Sequence, residues 1–341
     1  MRVTIKDVAK KAGVSVGTVS RAFNGYVDIR EDTKKKILDA AEELEYTPNA
    51  IAKSLSSRIS KNMGIILTNF LQTSAKDNGT LPMLQGIYQY ASKHGYDASI
   101  YMSDENSHTK LSYEKFCTQH NISGAILSGI TIKDPYFKEL VTDGMPCVLI
   151  DVDLKGKGLG CVSVDNYKAA AAITQYLVDH GHREMLVIAG KKEAAVNNER
   201  VKSIVETLAA NGIALKENRI VHCAFSEERA YKFTKEYLRK NGKREITAFL
   251  CLSDLMAFGC MKAIKECGYS IPDDFSITGF DNNPLAAYMT PRLTTISQDF
   301  KKIGYQSAKM LNSLIKDPEQ NLKVQVEFEL CERESVKYIQ N

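Results

Sequence analysis

The stretch VTIKDVAKKAGVSVGTVSRAFNG, residues 3–25, sets the reading of the whole chain. Thr4 precedes IKDVAKKA, and Asp7 stands three residues on, a capping-box-like start with Asp in place of the longer Glu. Ile5, Val8, Ala9 and Ala12 fall on one helical face. Gly13 ends that helix, and Val14 packs inward from the turn. Ser15 caps a second helix, VGTVSRAFN, with Val19 and Phe23 at i, i+4. After a loop, Ile37, Ala40, Ala41 and Leu44 mark a third helix over roughly 31–45. Helix, glycine turn, helix and a supporting third helix form a helix-turn-helix arrangement.

In that arrangement the start of the second helix enters the major groove of double-stranded DNA. Val16, Gly17 and Thr18 stand there, with Ser20, Arg21 and Asn24 further along. Arg21 suits a guanine edge, and Val16 a thymine methyl. Ser15, Thr18, Ser20 and Asn24 suit phosphate oxygens, and Thr4 joins them as a DNA-facing candidate. The plainer reading is a generic three-helix unit with a solvated arginine.

Charge supports the DNA reading. The chain of 341 residues carries a net +4. Residues 1–61 hold 12 Lys and Arg against 8 Asp and Glu, and the remainder balances at 33 of each. All the excess sits in the head, as in a nucleic-acid-binding module on a neutral body. Lys34–Lys36 alone would read as a solvated face. At 44% hydrophobic and 25% charged the composition is that of a globular protein of two or three domains. No apolar run of about 18 residues predicts a membrane span. The charged N-terminus lacks the apolar core of a secretory signal. Eight cysteines without Cys-x-x-Cys or Cys/His clustering read as reduced, buried thiols of a cytoplasmic protein, and no metal is expected.

YTPNAIAKSLSS, residues 46–57, follows the third helix, which its proline ends. NAIAKSL is helix-capable but too short to be stable alone. A second copy packed against it would supply the missing stability, and Leu55 at its apolar tip could wedge into a minor-groove step. A plain linker is the alternative.

Together, VTIKDVAKKAGVSVGTVSRAFNG and YTPNAIAKSL closely resemble the headpiece and hinge of the lactose/galactose repressor family, nearly continuously over the first 57 positions. The resemblance implies a homodimer that reads a pseudopalindromic operator. Its paired hinge helices would insert Leu55 at the centre, with Asn49, Ala52 and Lys53 in the hinge. Lys53 stands where the family has arginine or glutamine, and Arg30 where serine often caps the third helix. Gly17 replaces a longer base-reading side chain, so the operator sequence does not carry over from relatives.

From Met63 apolar runs alternate with helical stretches: MGIILTN, YDASIYMS, GAILSG, CVLIDV, CVSVDN, EMLVIAG, RIVHCAF, AFLCLSD, FSITGFD. Short buried strands alternating with helices predict parallel α/β architecture. Nine strands exceed one comfortable sheet. The expected organisation is therefore a helix-turn-helix head at 1–48, a hinge and linker at 49–61 and a two-lobed body at 62–341. The lobes are set at about 62–160 with a returning C-terminal segment, and about 161–290 with C-terminal strands from TTISQDF and VQVEFEL. SVDN, HGHREMLVIAG, LSDLMAFGCMKAI, DDFSITGFD and LTTISQDF extend the resemblance through the body. It implies an effector-binding domain similar to periplasmic sugar-binding proteins.

Ligands of such sheets bind outside the carboxyl ends of the strands. Asn69, Ser128, Asp165, Ser253, Asp281 and Gln298 are the polar candidates there, each also readable as a cap or loop residue. Carboxylates at 165 and 281 suit sugar hydroxyls. By resemblance Arg200 is the effector-contacting arginine, with Ser203 where a glycine is usual, and Phe225 is a stacking ring. A sugar or sugar derivative is the leading effector and a nucleobase the alternative; inducer or corepressor is left open. Gly156, Gly158 and Gly160 lack dinucleotide spacing and read as a loop. His180 and His182 lack a carboxylate cluster. Asp254 reads as a helix cap. No catalytic constellation is found, so the chain is not expected to be an enzyme. The contrasting class, a solute-binding α/β protein, is disfavoured by the head and hinge.

Overall fold

The computed structural model describes residues 3–23, 26, 29–46, 61–69, 79–242 and 245–339. Asn24, Asn49, Ala52, Lys53 and Leu55 lie outside the described residues. The chain divides between Lys61 and Asn62 into two units.

The first unit holds α1 (Ile5–Ala12), α2 (Val16–Phe23) and α3 (Glu31–Glu43). Asp7 Oδ2 accepts the Thr4 N–H at 2.8 Å and the Thr4 hydroxyl at 2.7 Å, which fixes where α1 begins. Gly13 ends it at φ 69°, a left-handed conformation that costs glycine little. Val8, Ala9, Val19, Ala22, Ile37, Ala40 and Ala41 form the core, flanked by Ile5, Val14 and Phe23. The apolar spacing of the sequence is therefore the packing of this unit.

The second unit is built on two six-stranded sheets. The first sheet comprises β1 (Asn62–Thr68), β2 (Asp97–Ser103), β3 (Ala125–Ser128), β4 (Cys147–Ile150), β5 (Leu159–Val164) and β11 (Asn321–Val326). Its order is β11-β5-β4-β3-β1-β2 and every pairing is parallel. The second sheet comprises β6 (Met185–Ala189), β7 (Ile220–His222), β8 (Ala248–Cys251), β9 (Ser276–Asp281), β10 (Thr294–Gln298) and β12 (Phe328–Cys331). Its order is β12-β10-β9-β8-β6-β7, parallel except where β12 pairs with β10. Helices cover both faces, which is why the central strands read as unbroken apolar runs.

Two details differ from the sequence reading. The first lobe extends past residue 160, because β5 pairs in parallel with β4 and β11 and is buried along its whole length. Gly160 accordingly belongs to β5, not to a loop. The C-terminal strands also part company: β11 joins the first sheet and β12 the second. The chain thus passes between the sheets after β5, after β10 and after β11. Between the latter two crossings, α12 (Phe300–Lys316) packs along α4 (Thr80–Lys93) in the first lobe. That crossing is close because it runs over Gly86 and Gly304. A Cβ at Gly86 would collide with the Lys301 carbonyl, and one at Gly304 with the Met83 carbonyl.

Candidate functional site

In the head, α2 buries Val19 and Ala22 and leaves Val16, Gly17 and Arg21 exposed on the other side. Val16 is 40% exposed, unusual for an apolar residue with a core beside it. Ser15 Oγ accepts the Thr18 N–H at 3.1 Å and lies 2.8 Å from the Thr18 hydroxyl. Ser15 thereby caps α2, the Thr18 hydroxyl is engaged by that cap, and Thr4 is likewise engaged by Asp7. Ser20 is half-buried. The Arg21 guanidinium lies 5.6 Å from the centre of the Tyr26 ring.

In the body, polar side chains gather at the carboxyl ends of both sheets around Arg200. This residue lies on α9 (Ala195–Ala210) and is only 3% exposed. Its Nε donates to Asn166 Oδ1 at 2.8 Å, and Nη1 to the Leu252 carbonyl at 2.9 Å. Its guanidinium carbon sits 3.6 Å from the centre of the Phe280 ring. Asn166 Nδ2 donates onward to Ser163 Oγ at 2.9 Å, and the Ser163 hydroxyl to Asp151 Oδ1 at 2.5 Å. One hydrogen-bonded chain thus joins the second lobe to the end of β4 in the first. Burial weakens Arg200's hold on its proton, while Asp281, Asp151 and Glu199 strengthen it. Burial pushes the Asp151 carboxyl up, against the Ser163 hydroxyl and Arg200.

At the end of β9, Asp281 Oδ1 accepts from Gln298 Nε2 at 2.8 Å. Gln298 Oε1 is buried and finds no partner among the described residues. The Phe225 ring lies over Gly190, where any side chain would strike it. Among the described residues, eight non-glycine positions have positive φ, and six of them (Asn69, Asp151, Ala224, Phe225, Asp281, Asn282) stand at or just past strand ends. Backbone strain gathered at one edge of two sheets is a mark of a binding site.

The model for the lacI family of bacterial regulatory proteins matches residues 4–49, and that for periplasmic binding protein-like domains matches residues 174–336. The probable transcriptional repressor ExuR of Bacillus subtilis is 31% identical over 337 residues, 98% of each chain. The chain belongs to the lacI family. It is a transcriptional regulator with a helix-turn-helix head and an effector-binding body. The repressor PurR of Photobacterium profundum is 28% identical, again over 98% of each chain. Among solved structures, the lac repressor dimer bound to operator and the anti-inducer ONPF has the same fold. It aligns with a TM-score of 0.83 at 24% identity, over 99% of this chain and all of that one.

Within this lacI-family body the sequence-derived candidates separate into two groups. Asp281 and Gln298 bond to each other at the ends of β9 and β10, and Arg200 lies against Phe280 one residue before Asp281; Phe225 stands past the end of β7, and Asn69 and Ser128 at the ends of β1 and β3. The Asn69 N–H donates to the Ser103 carbonyl at 2.8 Å. Asp165 and Ser253 instead cap helices. Asp165 Oδ1 accepts the Lys168 N–H at 2.9 Å, and its other oxygen pairs with the Lys168 ammonium at 3.0 Å. Burial raises this carboxyl, but Lys168 outweighs it and holds it below the usual range. Ser253 Oγ accepts the Met256 N–H and so caps α11 (Asp254–Glu266). The reading of Asp254 as the cap is corrected: it is buried, and accepts Asn283 N–H and the Thr295 hydroxyl, both at 2.6 Å. Burial, then the nearby Asp281, drives its carboxyl far above the usual range.

Ser203 is buried and donates to the Tyr167 carbonyl at 2.6 Å, so it ties α9 to α8 (Asn166–Asp179). His180 Nδ1 lies 2.7 Å from the Tyr176 carbonyl and His182 Nδ1 2.9 Å from Thr247 Oγ1, both structural contacts. Sequence reasoning passed over Asp151, Ser163 and Asn166. Asp151 carried a usable signal, a carboxylate directly after the apolar run CVLI. Ser163 and Asn166 flank the selected Asp165 and carried none of their own.

Proposed function

We propose that this lacI-family chain is a repressor that binds a pseudopalindromic operator as a homodimer. A sugar or sugar derivative held between the lobes controls it. The observation that carries the effector half is the Arg200 cluster, where a buried cation lies near carboxyls at the ends of β4 in the first sheet and β9 in the second. The exposed Val16, Gly17 and Arg21 face and the basic head support the DNA half. Solved relatives in fold include the regulator CelR in complex with cellobiose and a regulator from Enterococcus faecium with bound ribose. Leu285 and Tyr288, 44% and 85% exposed past β9, are apolar surface available to a second copy. The role is binding, not turnover, and belongs in the cytoplasm with the DNA. A nucleobase is the second reading, favoured by the flat ring of Phe225.

The mechanism is a population shift. The lobes are joined by three crossings and by the Arg200–Asn166–Ser163–Asp151 chain, so a ligand there favours one lobe orientation. The first lobe follows the hinge segment in sequence, and its orientation decides whether two hinges pair. An effector that prefers the paired state is a corepressor, and one that prefers the other an inducer. A salt-dependent gel shift on DNA upstream of the gene tests this. We expect a sequence-selective complex whose stability changes with ligand. No selective complex, with or without candidate ligands, overturns the proposal.

A further inference from the structure

Operator and effector binding require no chemistry, yet the first lobe holds side chains arranged for it, apart from the Arg200 cluster. We propose that Ser103, His108 and Asp134 form a hydrolytic triad that cleaves small esters with a short apolar acyl group. Ser103 is the last residue of β2, and Asp104 directly after it caps α5 (Glu105–Lys110). The serine thus stands at a strand–turn–helix junction, where α/β hydrolases place their nucleophile, although the flanking glycines of that motif are missing here. His108 lies on α5, and Asp134 caps α7 (Pro135–Asp143) by accepting the Tyr136 N–H at 2.9 Å. His108 Nδ1 is 2.9 and 2.8 Å from the two Asp134 oxygens, and its Nε2 is 2.8 Å from Ser103 Oγ. A carboxylate only accepts, so Nδ1 carries the ring hydrogen and Nε2 is left to accept the serine hydroxyl. Nucleophile, base and orienting carboxylate are thereby in the order that activates a serine.

Burial and a cavity distinguish this set from an ordinary helix cap. His108 and Asp134 are each 2% exposed, and the histidine ring stacks on Tyr136 with centroids 3.9 Å apart. That pair alone would suffice to dock α5 onto α7. Ser103 adds a half-buried hydroxyl and borders, together with His108, a cavity of about 340 Å³. Ile66, Met102, Leu111, Tyr136 and Phe116 of α6 (Tyr113–Gln119) give that cavity an apolar lining suited to a short aliphatic or aromatic acyl group. Lys110 lines it too and brings positive charge to an oxyanion formed there. No residue of the Arg200 cluster borders it. The Ser103 oxygen attacks the ester carbonyl carbon while His108 Nε2 takes the hydroxyl proton. The ester C–O bond breaks, and the alcohol leaves with that proton. Water then adds to the acyl carbon and gives a proton to His108, and Ser103 regains it as the acid departs. One ester and one water give one acid and one alcohol, with no redox change. The set does not show as a sequence motif, because Ser103 and His108 are 5 positions apart and His108 and Asp134 are 26.

The test uses the purified full chain with p-nitrophenyl acetate and p-nitrophenyl butyrate, and a fluorophosphonate probe whose adduct is located by peptide mass spectrometry. We expect repeated ester cleavage above the buffer rate and a single adduct, on Ser103. Ser103→Ala should lower the cleavage rate by roughly 100-fold or more and abolish the adduct, and Asp134→Asn should slow both reactions. Ser103→Ala removes only a half-buried hydroxyl. If its fold fails nonetheless, the position of the adduct on the unaltered chain still decides. No adduct, an adduct elsewhere, or a Ser103→Ala protein as active as its parent overturns the proposal. Release of one p-nitrophenol per chain with none thereafter also overturns it, since Ser103 is then acylated without hydrolysis. Each of these outcomes leaves the DNA and effector readings untouched.

Discussion

Gly17 and Arg21 occupy neighbouring exposed turns of α2 but make opposite contributions. Glycine costs a helix about 1 kcal/mol relative to alanine. A methyl at position 17 would meet only Ser15 Oγ, at an ordinary 3.6 Å. Gly17→Ala should therefore stabilise the head, by about 0.5 kcal/mol at this early helical position. Urea unfolding followed by head-specific proteolysis reads it; a loss of stability would mean that the backbone there is strained. Arg21→Ala should cost roughly 1–3 kcal/mol at one operator base and relax selectivity there. A competition assay over single-base operator variants checks this, and equal weakening on every sequence would make Arg21 a phosphate contact. At this scale the sequence was legible where a residue's chemistry is local. Thr4 with Asp7 and Ser15 with Thr18 are three apart and bond as their spacing implies. Asp254 was misread because its partners, Asn283 and Thr295, are some thirty and forty positions away. The positive φ of Phe225 and Asp281 left no trace in residue type.

At the scale of elements, the strand rhythm of the body was readable because every central strand is covered on both faces and so is uniformly apolar. The assignment of β5 and β11 to the first sheet was not, since strand pairing is a long-range choice between equally apolar partners. The α4–α12 crossing illustrates a further limit, because Gly86 and Gly304 look like helix defects in sequence and are contact points in the fold. Gly304→Ala should destabilise the body by roughly 1–3 kcal/mol, the usual cost of overpacking, despite its better helix propensity. Denaturant midpoints decide between the two effects; a stabilised variant would show that the crossing is looser than described. Behind the second sheet, burial lowers His182 from 6.5 to about 4. The folded lobe thus holds a neutral imidazole while the unfolded chain takes up a proton near pH 6.5. Stability is present above that pH and lost as it falls toward 4, by about 3 kcal/mol in total. Urea midpoints at pH 7 and 4.5 should separate by less in His182→Gln; an unchanged separation would place the acid sensitivity elsewhere.

For the molecule as a whole, two units with different chemistry make one linked system. The head carries the net charge and the body is neutral, so DNA affinity should fall steeply with salt while effector affinity should not. Linkage requires that an effector which changes operator affinity is itself bound with a changed affinity on operator, by the same factor. Coupling of this kind is typically about 1–3 kcal/mol, or roughly 5- to 150-fold. The most direct measurement is a fluorescence anisotropy titration of the upstream operator duplex with the full chain. It is run without ligand and with a saturating amount of the sugar that most stabilises the protein. The operator Kd should shift by at least about fivefold, with little change on scrambled DNA of equal length. An operator Kd that is the same with and without a demonstrably bound ligand, or equal on operator and scrambled duplex, would contradict an effector-controlled, sequence-reading regulator.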